Sequence, residues 1–354
     1  MRGRLSGDSY AAGLKIGDTI ESAGIGTILE AKSDKFAPGD VVSGALGWCE
    51  ATVHRDRGLR IIEPSLLSEH VSATAFIGVL GVPGLTAWFG LNDIGGPSEG
   101  ETLLISSAAG PVGATCGQLG KHLGLKVVGI AGGPEKCAYL RSLGFDDAID
   151  YKADIPLDTA IAAACADGVN IFFDNVGAET LDAALVNMAA GGRIVVSGQV
   201  AEYNHQNPVG IREVTRFITH RLRMEGLVVY DYAPKFTDAI GQMAALINAG
   251  KLAYTENIIA GIENAPDANI AVGLVRPSFQ PTTIPSVVAG VEDTMIPVAH
   301  ENYGNGQGMS VDSDSDDRVA KDDDSTNTDS AEDFSHAETA YGRESSNTYY
   351  YENN

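Results

Sequence analysis

Cysteine, basic charge and long apolar runs are all scarce in this chain. Its 354 residues hold four cysteines, Cys49, Cys116, Cys137 and Cys165, far apart and without a C-x-x-C. That spacing excludes a disulfide framework and a four-cysteine zinc lobe, and it suits a reducing cytosol. Lys and Arg number 24 against 47 Asp and Glu, and no basic stripe offers a nucleic-acid footprint. No run of about 18 apolar residues exists, so no transmembrane helix is expected. The opening MRGRLSGDSY lacks the apolar stretch of a secretory signal. Metal ligation has little to work with. Cys49 and His54 lie five apart with no third ligand in a pattern, and His70, His122, His205 and His220 are scattered. A serine hydrolase is excluded in the same way, because Val196-Ser-Gly198 lacks the earlier glycine of G-x-S-x-G.

What is present suits an α/β protein. Hydrophobic residues make up 44% of the chain, enough for a real core, and 42 glycines supply many turns. The net charge of −23 is uneven: −11 of it falls on residues 301–354, leaving an ordinary −12 on the first 300. That last stretch is rich in Asp, Ser, Asn and Gly with few aliphatics, which predicts a disordered acidic tail.

The strongest local signal is Thr102–Gly113, TLLISSAAGPVG, a buried-strand run that breaks into a turn of small residues. Ala108, Gly110 and Gly113 occupy the three positions of a G-x-G-x-x-G fingerprint, with Ala at the first. Val112, Cys116, Leu119 and Leu123 then recur at spacings of 4, 3 and 4, one face of a helix that Gly124 can cap. A second strand, Leu125–Ala131, completes the βαβ order of a dinucleotide-binding unit. Small residues admit a pyrophosphate to the backbone, and the N–H groups of Val112 and Gly113, behind Pro111, lie at the positive end of the helix.

Around this unit the pattern predicts an architecture. Residues 1–77 carry short β-like runs at Thr19–Leu29, Asp40–Ser43 and Ala51–His54, divided by turns such as Ala37-Pro-Gly-Asp40. Phe76–Leu91 reads as an apolar helix entered through Pro83. Strands are predicted at 102–106, 125–131, 146–151, 169–174, 193–198 and 226–230. Right-handed crossovers would order them 3-2-1-4-5-6 in a doubly wound sheet. A helix is expected at about 235–249, ending at Gly250, with a strand at Glu256–Ile262 leaving the domain.

Several motifs in series resemble one family. Gly81-Val-Pro-Gly-Leu-Thr-Ala-Trp88, Ser107-Ala-Ala-Gly-Pro-Val-Gly113, Val128-Gly-Ile-Ala-Gly-Gly-Pro-Glu-Lys136, Phe173-Asp-Asn-Val-Gly177 and Tyr203-Asn204 occur in the order of the zinc-independent medium-chain dehydrogenase/reductases. The branch resembled is that of the prostaglandin reductases and alkenal double-bond reductases. The likeness runs from residue 1 to about 275 and implies a cytoplasmic, homodimeric enzyme that uses NADPH to reduce the C=C bond of α,β-unsaturated aldehydes or ketones. It implies a partial GroES-like substrate domain over 1–77, an NADP-binding Rossmann domain over 78–250, a return segment over 251–280, and a linker and tail over 281–354. The family pattern continues ahead of Met1, and after Gly273-Leu-Val-Arg276 it leads to an N-x-G-K turn that this chain lacks. An incomplete substrate domain with open sheet edges is therefore expected.

Cofactor choice is read at the end of the second strand. An NAD enzyme places Asp or Glu there for the ribose 2′-OH; Gly132 and Gly133 stand here instead, with no carboxylate to repel a 2′-phosphate. The family likeness adds Lys136 and Tyr151 as phosphate contacts, which selects NADP. It also makes Tyr203, beyond Gly198, the catalytic donor to the substrate oxygen or cofactor ribose. Asn175 would face the nicotinamide ribose, Pro83 and Thr86 would border the nicotinamide, and Trp48 would line the substrate pocket. A quinone reductase of the related branch and a non-catalytic NADP-binding remnant are the alternative readings.

Overall fold

The computed structural model describes residues 15, 17, 20, 22–203 and 210–267. The predicted acidic tail and the end of the return segment lie outside them, as do Asn204 and His205.

Among the described residues, nine strands form two sheets. β1 (Ala23–Thr27), β2 (Val41–Ala45) and β3 (Arg60–Ile61) make a small antiparallel sheet in the order β1-β2-β3. The first two agree with the sequence reading in place. The third does not: Ala51–His54 forms no strand, and Val53 stands fully exposed. The place beside β2 is taken by Arg60 and Ile61, opposite Ser43 and Val42.

The larger sheet is wholly parallel. It comprises β4 (Thr102–Ile105), β5 (Lys126–Ala131), β6 (Asp147–Asp150), β7 (Val169–Asp174), β8 (Met188–Val196) and β9 (Arg223–Gly226). Their order, β6-β5-β4-β7-β8-β9, is the expected 3-2-1-4-5-6. β4 and β5 are buried almost throughout because helices cover both faces. On one face Leu103, Ile105 and Val127 pack with Cys116 and Leu119 of α2 (Pro111–His122) and Leu140 of α3 (Pro134–Ser142). On the other, Leu104, Val128 and Phe172 pack with Ile161 of α4 (Leu157–Ala164) and Leu181 of α5 (Ala178–Leu185).

Three further element predictions are corrected. The helix expected at Phe76–Leu91 is interrupted: a 3-10 turn spans Ala73–Ile77, α1 begins only at Val82 and runs to Phe89, and a π-helical turn follows over Gly90–Gly95. Gly81 causes the break, since its extended backbone caps α1 and a Cβ there would lie 2.5 Å from the Phe76 carbonyl oxygen. The sixth strand is β9, three residues earlier than predicted, because β8 stops at Val196 and pairs it with Gly226. Val229–Lys235 beyond it is a 3-10 helix. Finally, Glu256–Ile262 is not a strand. The return segment is held by side chains instead: Gln118 exchanges two hydrogen bonds with Ala253 (2.8 and 2.9 Å), and Thr74 donates to Glu256 at 2.8 Å. Its preceding helix, here Phe236–Asn248, falls where predicted.

Candidate functional site

Order reverses in the large sheet between β4 and β7, and the crevice beyond the carboxyl ends of those strands is where open α/β sheets bind ligands. Four strand-end turns supply the residues there.

The first joins β4 to α2. Ser107 takes a left-handed φ of 50°, the Ala108 N–H donates to Ile130 O at 2.9 Å, and the Gly110 N–H donates to Ser107 O at 3.0 Å. Gly110 caps α2 without a side-chain partner, followed by Pro111, so the free amides of the first turn face outward from the helix end. A Cβ on Gly113 would sit 2.6 Å from Ala108 Cα; glycine is the residue that lets α2 close on the strand. Ala108 is fully buried, and the residue opposite it is Gly129, whose added Cβ would lie 2.8 Å from the Ala108 Cβ. The alanine at the first fingerprint position is accommodated by a glycine on the neighbouring strand.

The second turn joins β5 to α3. Gly133 has φ 93°, a conformation glycine adopts freely, and caps α3 ahead of Pro134. Gly132 is roofed by the next strand's end: an added Cβ would meet Tyr151 Cε1 at 2.8 Å and Lys152 Cε at 3.0 Å. Asp150 fastens the two strand ends, accepting the Gly133 N–H at 2.8 Å and the Lys152 N–H at 2.9 Å. Those two bonds hold its carboxyl below the usual range. Lys136, half-buried on α3, loses some proton affinity, first through burial and then through the charge of Lys152.

The third turn follows β7. Asp174 is fully buried, and its Oδ1 accepts from Ser106 Oγ (2.8 Å) and from the N–H groups of Val176 and Gly177 (3.0 Å each). Burial pushes this carboxyl up despite the donors. Asn175 is pinned to the neighbouring strand, its N–H to Ser106 Oγ and its Nδ2 to Ser106 O, both at 2.8 Å. The side-chain Oδ1 is the group left over.

The fourth turn, after β8, brings Gly198, Tyr203 and Asn175 together. A Cβ on Gly198 would be 3.2 Å from the Tyr203 hydroxyl and 3.5 Å from the Asn175 carbonyl oxygen. The Tyr203 hydroxyl accepts the Gln199 N–H at 3.3 Å, while the ring is about half exposed (49%). A phenol that accepts from the backbone keeps its own proton for another acceptor.

Pro83 and Thr86 lie on α1, where the Thr86 hydroxyl donates to Val82 O at 2.7 Å. Trp48 is half-buried, and its backbone N–H donates to Ile20 O at 3.1 Å. Sequence reasoning passed over Ser106, Asp174 and Lys152. Ser106 and Asp174 stand at two strand ends and carry no signal of their own in the sequence, since only the pairing of β4 with β7 brings them together.

Two family profiles match the chain: residues 111–247 fit the zinc-binding dehydrogenases, and residues 1–62 fit the N-terminal domain of oxidoreductases. The 2-alkenal reductase (NADP(+)-dependent) of Nicotiana tabacum is 38% identical over 270 residues, covering 75% of this chain and 76% of that protein. Prostaglandin reductase 1 of Rattus norvegicus is 37% identical over 270 residues, 75% of this chain and 82% of that protein. The chain belongs to the medium-chain dehydrogenase/reductases, in their alkenal and prostaglandin reductase branch. A medium-chain fold is also what the solved structures display. The crystal structure of CurA in complex with NADPH from Vibrio vulnificus superposes with a TM-score of 0.70 at 34% identity, over 77% of this chain and 81% of that one.

Among the described residues, no group of three or more His, Cys, Asp or Glu is placed to hold a metal ion. Nor is any described helix long and apolar enough to cross a membrane.

Proposed function

We propose that this chain is an NADP-dependent oxidoreductase that reduces the C=C bond of α,β-unsaturated aldehydes and ketones. The observation that carries the reading is the Tyr203 hydroxyl, which accepts from Gln199 N–H beside Gly198 and Asn175 at the carboxyl end of the sheet. The cofactor half rests on a cradle that fits NADPH. Gly110, Pro111, Val112 and Gly113 open a helix N-terminus to the pyrophosphate, with Ala108 packed beneath them. Gly132 and Gly133 leave the end of β5 without a carboxylate, and Lys136 and Tyr151 stand ready for a 2′-phosphate.

Bound NADPH supplies the hydride that the substrate's β-carbon takes. As that bond forms, the enone's π electrons move onto the carbonyl oxygen, and Tyr203 donates a hydrogen bond to the growing negative charge. A phenol suits the task because it remains protonated at neutral pH. The α-carbon then takes a proton from water. Asn175, fixed by two bonds to Ser106, would present Oδ1 to the nicotinamide ribose. Pro83 and Thr86 would border the nicotinamide, and Trp48 would line the substrate side.

The same reading makes the chain a homodimer paired through β9, which among the described residues is hydrogen-bonded on one side, to β8. It divides the chain at 77 and 250 and places it in the cytosol, where the four unpaired cysteines stay reduced.

The test is NADPH oxidation by the purified full chain, with alkenals, enones and quinones compared side by side. Turnover of enals and enones above quinones supports the reading. Turnover of quinones alone assigns the chain to the related quinone branch, and NADPH binding without turnover leaves a cofactor-binding remnant.

A further inference from the structure

The adenosine end of the crevice holds one charge more than the family likeness assigned. Lys152 follows Tyr151 in the turn after β6, and its stem packs over Gly132, with Cε 3.0 Å from where a Cβ would stand. Its ammonium lies 5.8 Å from the Tyr151 ring centroid. Lys136, across the turn on α3, is near enough to feel that charge. Among the described residues, neither ammonium has a carboxylate within 4.0 Å. The acid nearest in sequence, Asp150, has Oδ1 committed to the N–H groups of Gly133 and Lys152.

Lys136 and Lys152 are close enough for their like charges to repel, and although Asp150 feels the charge of Lys152, its Oδ1 is engaged by backbone donors; an anion at this end of the crevice relieves the repulsion. A monoester phosphate carries about −1.5 to −2 at neutral pH, so Lys136 alone leaves it undercompensated. We infer that Lys152 is a second phosphate-binding cation, which with Lys136 sets the preference for NADPH over NADH. Tyr151 and Lys152 both pack over Gly132, whose missing side chain leaves room for them at the end of β5. The inference rests on the NADPH reading above and adds a specificity residue to it.

Cofactor fluorescence titrations with NADPH and NADH test it on the wild-type full chain, Lys152→Ala and Lys152→Arg, with 2′,5′-ADP as a competing probe. Lys152 is exposed, so the alanine variant should fold, and its thermal melt checks that. The expected result is about a tenfold loss of NADPH affinity in Lys152→Ala, a parallel loss for 2′,5′-ADP, unchanged NADH affinity, and recovery in Lys152→Arg. A wild type that prefers NADPH beside a Lys152→Ala chain with the same preference overturns the inference alone. Equal weakening of NADPH and NADH also overturns it, since a packing role would act on both. A wild type with no preference overturns the NADPH reading, and this inference with it.

Discussion

Ser106 Oγ donates to Asp174 Oδ1 across 2.8 Å, and the same serine oxygen accepts the Asn175 N–H at 2.8 Å. One hydroxyl thus locks the ends of β4 and β7, the two strands that flank the point where sheet order reverses. Ser106→Ala would leave the buried carboxylate one donor short and the Asn175 N–H without its acceptor. The expected cost is about 2 kcal/mol of stability, read as a lower urea midpoint, together with weaker NADPH binding. An unchanged midpoint would show that water replaces the hydroxyl without loss.

Asp174 itself supplies a pH signature. Burial raises its carboxyl above the usual value, although Gly177, Val176 and Ser106 all donate to it. The folded chain therefore holds this proton at pH values where the unfolded chain has released it. Its contribution to stability is greatest below the unfolded pKa of about 3.9 and declines as pH climbs towards the folded value. Asp174→Asn keeps an acceptor oxygen and removes the titration. Urea unfolding of both chains across acid to neutral pH should show wild type losing ground relative to the variant as pH rises. A gap that is constant or widens in wild type's favour would contradict the shift.

How much of this was legible in the sequence depends on where each residue sits. β4 and β5 were readable because burial on both faces writes them as nearly unbroken apolar runs, as in Leu103–Ile105. β9 was misplaced because it is an exposed edge, Arg-Met-Glu-Gly, whose pairing follows from the end of β8 and not from its own pattern. The glycine turn was visible through spacing, and Lys136 was singled out through the family resemblance. Lys152 was not, because a surface lysine acquires meaning only when the chain folds it over Gly132. Ser106 and Asp174 are 68 residues apart and look like ordinary strand ends until β4 and β7 become neighbours.

Lys136 carries the phosphate reading most directly. Lys136→Ala should weaken NADPH by about tenfold and leave NADH nearly unaffected, measured by the same fluorescence titration. Equal weakening of the two would remove the residue from the 2′-phosphate and make it part of the packing on α3.

Gly113 tests the close approach of α2 to its strand. A methyl group there would sit 2.6 Å from Ala108 Cα and 2.8 Å from the carbonyl oxygens of Ser107 and Ala108, all backbone atoms that cannot turn aside. Gly113→Ala should cost about 2 kcal/mol or more as the helix is pushed off the turn, seen as a lower melting temperature, and NADPH affinity should fall with it. Gly110→Ala is the control: its Cβ would meet only Ser107 O at 3.3 Å and Ser107 Oγ at 3.6 Å. It should melt close to wild type.

Tyr203→Phe separates chemistry from binding. The ring stays, while the hydroxyl that accepts from Gln199 N–H is lost. If that hydroxyl stabilises the developing enolate, kcat for an enone should fall by about 10²–10³-fold, with NADPH affinity essentially unchanged. Loss of the acceptor for Gln199 N–H is tolerable because the loop is partly exposed and water can reach it. Steady-state kinetics beside an NADPH titration distinguish the outcomes. Unchanged kcat would move the donor role to another group, and loss of NADPH binding would make Tyr203 a structural support of the Gly198 turn, which its 3.2 Å approach to the place of a Gly198 Cβ also permits.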